Sequence, residues 1–234
     1  MGDYFNEKGI WLGSDGKNDN KVFAAQNVSK SKSGLVNDAK NAKLLNISYD
    51  KFVRQASAVY GESSAYLVRN KKDEPSDEMM KEMYAIASVH QRNSKAYGVN
   101  SEPAKDFRKK GESQRNELPL MRTAIAAEIN ALFGGTDYSY GATMWDGAEQ
   151  AQFSSNDMRR STGRFEIHMN TMGWKISDGH YAKWKKNVGK SFKAPQIRIA
   201  PTHFNDGKRN MNAGKTRLQS TAVYGRTIFW KGTK

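Results

Sequence analysis

The apolar positions of this chain fall into two periods. Phe52, Val53, Ala56, Val59 and Tyr60 sit at i, i+1, i+4, i+7 and i+8, one face of an amphipathic helix. Ser48 stands where an N-cap belongs, and Gly61-Glu62-Ser63-Ser64 closes the stretch. A second helix is predicted after the charged turn Arg69–Asp77. Ser76 caps it, Asp77 and Glu78 favour its first turn, and Met79, Met83, Ile86, Ala87 and His90 share a face. A third opens at Pro119, carries Met121, Ile125, Ile129 and Leu132, and stops at Gly134-Gly135. A fourth is capped by Asp178, with Tyr181, Trp184 and Val188 inward and Lys183, Lys185 and Lys186 outward.

Period-two stretches predict strands. Asp3-Tyr4-Phe5 and Gly9–Gly13 flank the polar turn Asn6-Glu7-Lys8, and Lys21–Ala25 follows a second turn. Arg164–His168 and Gln196–Ala200 predict short strands, and Thr221–Lys231 a closing strand or hairpin. Residues 26–47, rich in Ser, Asn and Lys, are expected as a linker. Residues 91–117 are polar, with Tyr97-Gly98 and Phe107 as anchors. The resulting fold class is α+β and helix-dominated. The expected organisation is a small N-terminal β-hairpin module over 1–25, a linker over 26–47 and one larger domain over 48–234.

Composition narrows the function classes. The chain of 234 residues has a formal net charge of +14, so it should attract polyanions: nucleic acid, anionic membrane or the acidic polymers of a bacterial envelope. Ten Phe, ten Tyr and five Trp exclude a disordered basic tail. There is no cysteine, which excludes disulfides and thiolate chemistry. No apolar run approaches the ~20 residues needed to span a bilayer. The opening Met-Gly-Asp-Tyr-Phe-Asn lacks the charged and apolar regions of a Sec-type signal, so a role outside the cell implies dedicated export machinery.

Most catalytic constellations are missing: there is no H-E-x-x-H, no phosphate-binding Gly-rich loop and no G-x-S-x-G. His90, His168, His180 and His203 are scattered without metal-ligand spacing, so neither metal nor cofactor is expected. Asp15, Asn18, Asp19 and Asn20 suggest calcium but do not match an EF-hand loop, and turn formation is the expected role. Carboxylate chemistry remains. Glu62, after a glycine at the end of a buried helix, suits either a raised-pKa acid or a plain surface carboxylate. The loop from Thr136 to Gly147 is dense in aromatic and acidic side chains, among them Asp137, Tyr138, Tyr140, Trp145 and Asp146. Such rings either line a sugar or base site or fasten the loop to its domain.

Several blocks resemble a known family. Val59-Tyr-Gly-Glu62, then Ala85-Ile-Ala-Ser-Val89 followed by Arg92-Asn93, resembles the cell-wall hydrolase family typified by spore-cortex-lytic enzymes. Ala124–Leu132, Asp137–Ala142 and Tyr224-Gly-Arg-Thr-Ile-Phe-Trp230 are similar to its later helix, its Gly-Ala-aromatic segment and its closing strand. The blocks keep the family's order over roughly residues 50–230, with long insertions. The sequence departs from the family pattern at Ser63-Ser64-Ala65, where Ala-Arg-Gly is usual, and at Arg92-Asn93, where the order is reversed.

The resemblance implies a lysozyme-like domain that cuts peptidoglycan glycan strands as a lytic transglycosylase or muramidase. It makes Glu62 the general acid/base, with Tyr60, Ser63, Tyr138, Tyr140, Thr143, Trp145 and Asp146 as substrate contacts. Asp137 and Asp146 become candidates for a second carboxylate in a hydrolase. The N-terminal stretch Gly2–Val22 is similar to segments that precede toxin domains of contact-dependent and type VI secreted effectors. That likeness implies an antibacterial toxin made without a signal peptide, exported on a secretion-machinery carrier, acting in the periplasm or cell wall, and blocked by an immunity protein. The alternative, from charge and from aromatics among Lys183–Lys193 and Lys208–Lys231, is a nucleic-acid-binding protein or nuclease toxin.

Overall fold

A computed structural model describes residues 2–68, 72–93, 101–148, 171–192, 205–206 and 216–233. The strands expected at Arg164–His168 and Gln196–Ala200, the anchor Tyr97-Gly98, and His168, His203, Lys193 and Lys208 lie outside those residues. The chain is α+β, as expected, and it divides into two compact units, residues 1–138 and 139–234. The boundary falls inside the aromatic loop rather than after a linker.

The first unit starts with β1 (Asp3–Phe5), β2 (Trp11–Ser14), β3 (Lys21–Ala24), β4 (Asn27–Lys30), β5 (Val36–Lys40) and β6 (Lys43–Ser48). β1 pairs antiparallel with β2, but it also pairs parallel with β3, which is paired to β6. The N-terminal hairpin is therefore one edge of a four-stranded sheet ordered β2-β1-β3-β6. Nor are residues 26–47 a linker: β4 and β5 form their own hairpin, and β6 buries Leu45 in the core. The polar composition of that stretch describes its solvent face only.

Helices α1 (Tyr49–Glu62), α2 (Asp77–Arg92), α3 (Glu102–Lys109), α4 (Glu112–Asn116) and α5 (Pro119–Leu132) complete the unit. The expected caps are present: Ser48 Oγ accepts from Lys51 N, and Ser76 Oγ accepts from Met79 N. α3 and α4 were not legible as helices. Polar side chains dominate α3, and only Ala104 and Phe107 are buried. α1 lies between α2, α3 and α5, with Phe52, Ala56, Val59 and Tyr60 fully enclosed.

The sheet packs on these helices directly, so residues 1–25 are no peripheral module. Phe5 meets Phe52 with ring centroids 5.3 Å apart. Trp11 N donates to Asn116 Oδ1 at 2.8 Å, and Asn116 Nδ2 returns a bond to Trp11 O at 2.9 Å. Gly9, at φ +75, lies so close to α5 that a Cβ there would stand 2.0 Å from Arg122 O.

The second unit holds β7 (Met144–Asp146), β8 (Thr171–Lys175), α6 (Asp178–Val188), β9 (Asn205–Asp206), β10 (Thr216–Tyr224) and β11 (Thr227–Thr233). Its sheet runs β7-β11-β10-β8-β9. The expected closing hairpin is β10–β11, turning at Gly225-Arg226. Ser177, one residue before the expected Asp178, is the N-cap of α6. Ile176, Trp184, Val188, Leu218, Val223, Ile228 and Trp230 form the core of this unit.

Charge follows the same division. Residues 139–234 carry 17 Lys and Arg against 6 Asp and Glu, a net +11, whereas residues 1–138 carry 21 against 18. Among the described residues no helix is long and apolar enough to cross a membrane.

Candidate functional site

Glu62 is the last residue of α1 and is half-buried. Its placement rests on the residues on either side. Gly61 is fitted against the start of α3: a Cβ there would meet Ser101 Oγ at 2.4 Å and Ala104 Cβ at 2.9 Å. Alanine in a helix is normally favoured over glycine by about 1 kcal/mol. Here overpacking opposes that gain, and Gly61→Ala is expected to lower unfolding free energy by about 1–3 kcal/mol. Denaturant unfolding checks the sign, and a gain in stability would mean that α3 can move away freely.

On the other side, Ser63 terminates α1 and starts a 3-10 turn, Ser64–Leu67. Ser63 is fully buried; its Oγ donates to Tyr60 O at 2.9 Å and accepts from Ala65 N at 3.3 Å. The next anchor is Glu82 of α2, a fully buried carboxylate. Ser64 N donates to Glu82 Oε2 at 2.8 Å and Ser64 Oγ donates to Glu82 Oε1 at 2.9 Å. Two donors on a buried carboxylate offset part of its desolvation and hold the turn after Glu62. Beyond this clamp Tyr66 and Leu67 are 50% and 44% exposed, an aromatic-aliphatic surface within five residues of Glu62.

Glu82→Ala removes both acceptors, and each bond to a charged group is worth about 1.5–3 kcal/mol. The expected loss is about 3 kcal/mol or more in unfolding free energy, measured by denaturant titration. Unchanged stability would mean that the clamp contributes nothing.

The substrate contacts expected from the resemblance fare unequally. Tyr60 is fully buried, its ring 5.8 Å from that of Phe107, so it is a core residue that offers no atom to a substrate. Ser63, equally buried, is a cap. These two expectations are corrected. Apolar periodicity had already placed Tyr60 on the inward stripe, and that signal outweighs its neighbourhood to Glu62. Tyr138 belongs to the first unit, edge-on to Tyr84 at 6.0 Å and beneath Lys81 at 5.9 Å. Tyr140, Thr143, Trp145 and Asp146 belong to the second. Tyr140 has a positive φ of 52 and is 66% exposed. Thr143 and Trp145 are half-buried.

Neither candidate second carboxylate is disengaged. Asp137 receives both Arg92 terminal nitrogens, at 2.9 and 3.3 Å. Asp146, only 6% exposed, accepts the Trp230 indole N–H at 2.7 Å. That bond ties β7 to β11 and gives Asp146 a structural task.

Of the expected turn formers, Asp15 Oδ1 accepts from Gly2 N and Lys17 N, and Asp19 Oδ1 from Lys21 N. Among the described residues, no three His, Cys, Asp or Glu are grouped to hold a metal ion. His90 is buried on α2, and His180 Nδ1 lies 2.9 Å from Ser220 Oγ.

Sequence reasoning also missed Glu128. It is fully buried on α5, and Gln91 Nε2 donates to its Oε1 at 2.6 Å. Burial pushes its carboxyl up to about 8, against smaller opposing effects from Gln91 and Lys51. A signal was present for both buried acids. Glu82 falls between Met79 and Ile86, and Glu128 between Ile125 and Leu132, each inside an apolar helical stripe.

The described residues thus define an α+β protein whose helix α1, packed against α2, α3 and α5, ends in a half-buried carboxylate. Comparison with protein-family models, curated proteins and solved structures gives no match for this chain.

Proposed function

We propose that this protein cleaves the glycan strand of peptidoglycan with Glu62 as general acid and then base. The observation that carries the reading is the placement of Glu62. It ends the buried helix α1, is half-buried, and is followed by a turn clamped on Glu82 beside exposed Tyr66 and Leu67. In this reading the Glu62 carboxyl protonates the glycosidic oxygen and then acts as base. The exposed aromatic and aliphatic surface suits the apolar face of a sugar ring.

The reading includes a lysozyme-like arrangement of α1, α2, α3 and α5, with the N-terminal strands as an accessory. Between its two branches, lytic transglycosylase is favoured over muramidase. A hydrolase of either stereochemistry uses two carboxyl groups. Asp137 is ion-paired and Asp146 is buried against Trp230, so neither is disposed to serve. One carboxylate suffices when the sugar's own 6-hydroxyl is the nucleophile: Glu62 gives its proton to the leaving oxygen and recovers one from that hydroxyl.

The biological setting follows as part of the same proposal. The protein is an antibacterial effector, exported on a secretion-machinery carrier, active in the periplasm or cell wall of a competitor, and held inactive in its producer by an immunity protein. The test is digestion of purified sacculi with mass measurement of the soluble products. Anhydro-ended muropeptides are expected. Reducing ends would redirect the reading to a muramidase, and no soluble product would overturn it.

A second reading draws on the net +11 of residues 139–234. A unit so basic suits a polyanion, and nucleic acid is the alternative ligand to anionic wall polymer. Nucleic-acid cleavage that persists in Glu62→Gln would favour that reading.

A further inference from the structure

The second unit displays one aromatic ring on a backbone that disfavours it. Tyr140 stands in the turn Ser139–Ala142, closed by Ala142 N donating to Ser139 O at 3.2 Å. Both central residues have positive φ, 52 at Tyr140 and 79 at Gly141. Such a turn selects Gly, Asn or Asp, because a Cβ with a larger side chain crowds the backbone there. Among the described residues, the other non-glycine positions with positive φ are Asn20 and Asn41, which suit that region. Tyr140 is the exception, a bulky side chain where local chemistry asks for a small polar one.

The surroundings hold the turn in this conformation. Ser139 and Ala142 are fully buried. The Thr221 hydroxyl donates to Ser139 O at 2.7 Å, and Thr143 N donates to Trp230 O at 2.8 Å. Both ends are therefore tied to the β10–β11 hairpin, and the side chain between them projects outward. Tyr140 is 66% exposed, and its side chain makes no hydrogen bond or ring contact among the described residues. No internal contact offsets the cost of the conformation, so folding alone does not explain a tyrosine here. Among the described residues of this unit, no other large hydrophobic side chain is as exposed.

A cation stands close by. A Cβ on Gly141 would lie 3.9 Å from Lys231 Nζ, which puts that ammonium one residue from Tyr140. Lys231 is exposed and in no ion pair among the described residues. An open ring face beside an ammonium matches a ligand that combines an apolar ring face with a carboxylate. Single-stranded nucleic acid is a poorer match, because it stacks on successive rings, and no second ring of this unit is exposed to that degree among the described residues.

We propose that Tyr140 and Lys231 bind a carboxylate-bearing sugar of the cell wall, the phenol ring taking the sugar's apolar face and the ammonium its carboxylate. The choice of a wall sugar rests on the glycan-cleaving reading, whereas the site shares no residue with Glu62 or its clamp. Its task is to hold the glycan, not to break a bond.

The test pairs cosedimentation of the full chain with purified sacculi, thermal unfolding, and NMR of the Gly141 amide. Tyr140→Asn should weaken sacculus binding about tenfold, the worth of one stacked ring. It should also melt at or above the parent's temperature, since Asn suits the turn and the ring has no contact to lose. Tyr140→Phe keeps the ring face and should bind within about twofold of the parent. In the NMR arm, N-acetylmuramic acid at about 10 mM should shift the Gly141 amide more than neutral N-acetylglucosamine does. Lys231→Gln should remove that preference. The proposal is overturned by unweakened binding or earlier melting in Tyr140→Asn, by equal or absent responses to the two sugars, or by a stronger response to oligothymidylate. Muropeptide release with unweakened binding in Tyr140→Asn would overturn this inference alone. Sacculi bound through Tyr140 but never digested would overturn the cleavage reading alone.

Discussion

Glu62→Gln is expected to abolish release of muropeptides from purified sacculi and leave the fold intact. The amide preserves the size and most of the hydrogen-bonding capacity of the carboxyl but can neither give nor recover a proton. General acid–base catalysis contributes about 10²–10⁴-fold, and the rate should fall by that factor. The contacts that close α1 and clamp the following turn are made by other groups. Ser63 N bonds to Val59 O at 3.2 Å to close α1, and Ser64 bonds to Glu82, so neither contact uses the Glu62 carboxyl. The measurement is product mass after digestion, paired with thermal unfolding of both proteins. Full activity in the variant would remove Glu62 from the mechanism. An inactive variant that melts earlier would point to a structural part for Glu62.

The second large effect is on stability, at Glu128. A carboxyl whose folded pKa lies above its unfolded value is favoured in the folded state when protonated. The unfolded chain releases that proton near 4.5, and the folded chain holds it to about 8. Between these values the folded state binds more protons. Stability from this group is complete below about 4.5, declines as pH rises, and is lost above about 8. The slope can reach about 1.4 kcal/mol per pH unit. Asp3 acts in the same direction over a narrower window, from 3.8 to about 6.

Glu128→Gln isolates the term. The variant should match the parent at pH 4, gain on it steadily through pH 5 to 8, and stay ahead by several kcal/mol at pH 8.5. Denaturant unfolding across pH measures this directly. Parallel curves would mean that Glu128 ionises in the folded state at its ordinary pKa. Because Oε2 is buried with no partner among the described residues, the gain reflects the removal of a poorly compensated ionisation rather than a new contact.

Much of the helical architecture was legible along the chain. The stripe from Phe52 to Tyr60, the caps Ser48 and Ser76 and the Pro119 start appear where local chemistry put them, and the closing hairpin is present but begins at Thr216, five residues before the expected Thr221. Those features are local, since caps, apolar periods and turns act over a few residues. What was misjudged involves partners far apart in sequence. Residues 26–47 looked like a linker because their solvent side is polar, yet β6 pairs with β3 across about twenty residues. The N-terminal hairpin looked detachable because nothing in its own sequence reveals that Trp11 bonds to Asn116. α3 carries only two buried side chains, too few for a visible stripe.

The same distinction governs Glu62. The sequence by itself determined that the first predicted helix buries one face and ends in Gly61-Glu62, because the period of apolar residues and the cap are properties of that stretch alone. Only the tertiary structure decided what surrounds that end. It gave Gly61 a packing reason in α3, gave Ser64 its acceptor in Glu82, turned Tyr60 and Ser63 inward, and tied Asp146 to Trp230. The physical reason is that periodicity records which side of an element faces the core. Which groups meet there is set by long-range packing, which brought Ser64 to the buried Glu82 and Gln91 to the buried Glu128.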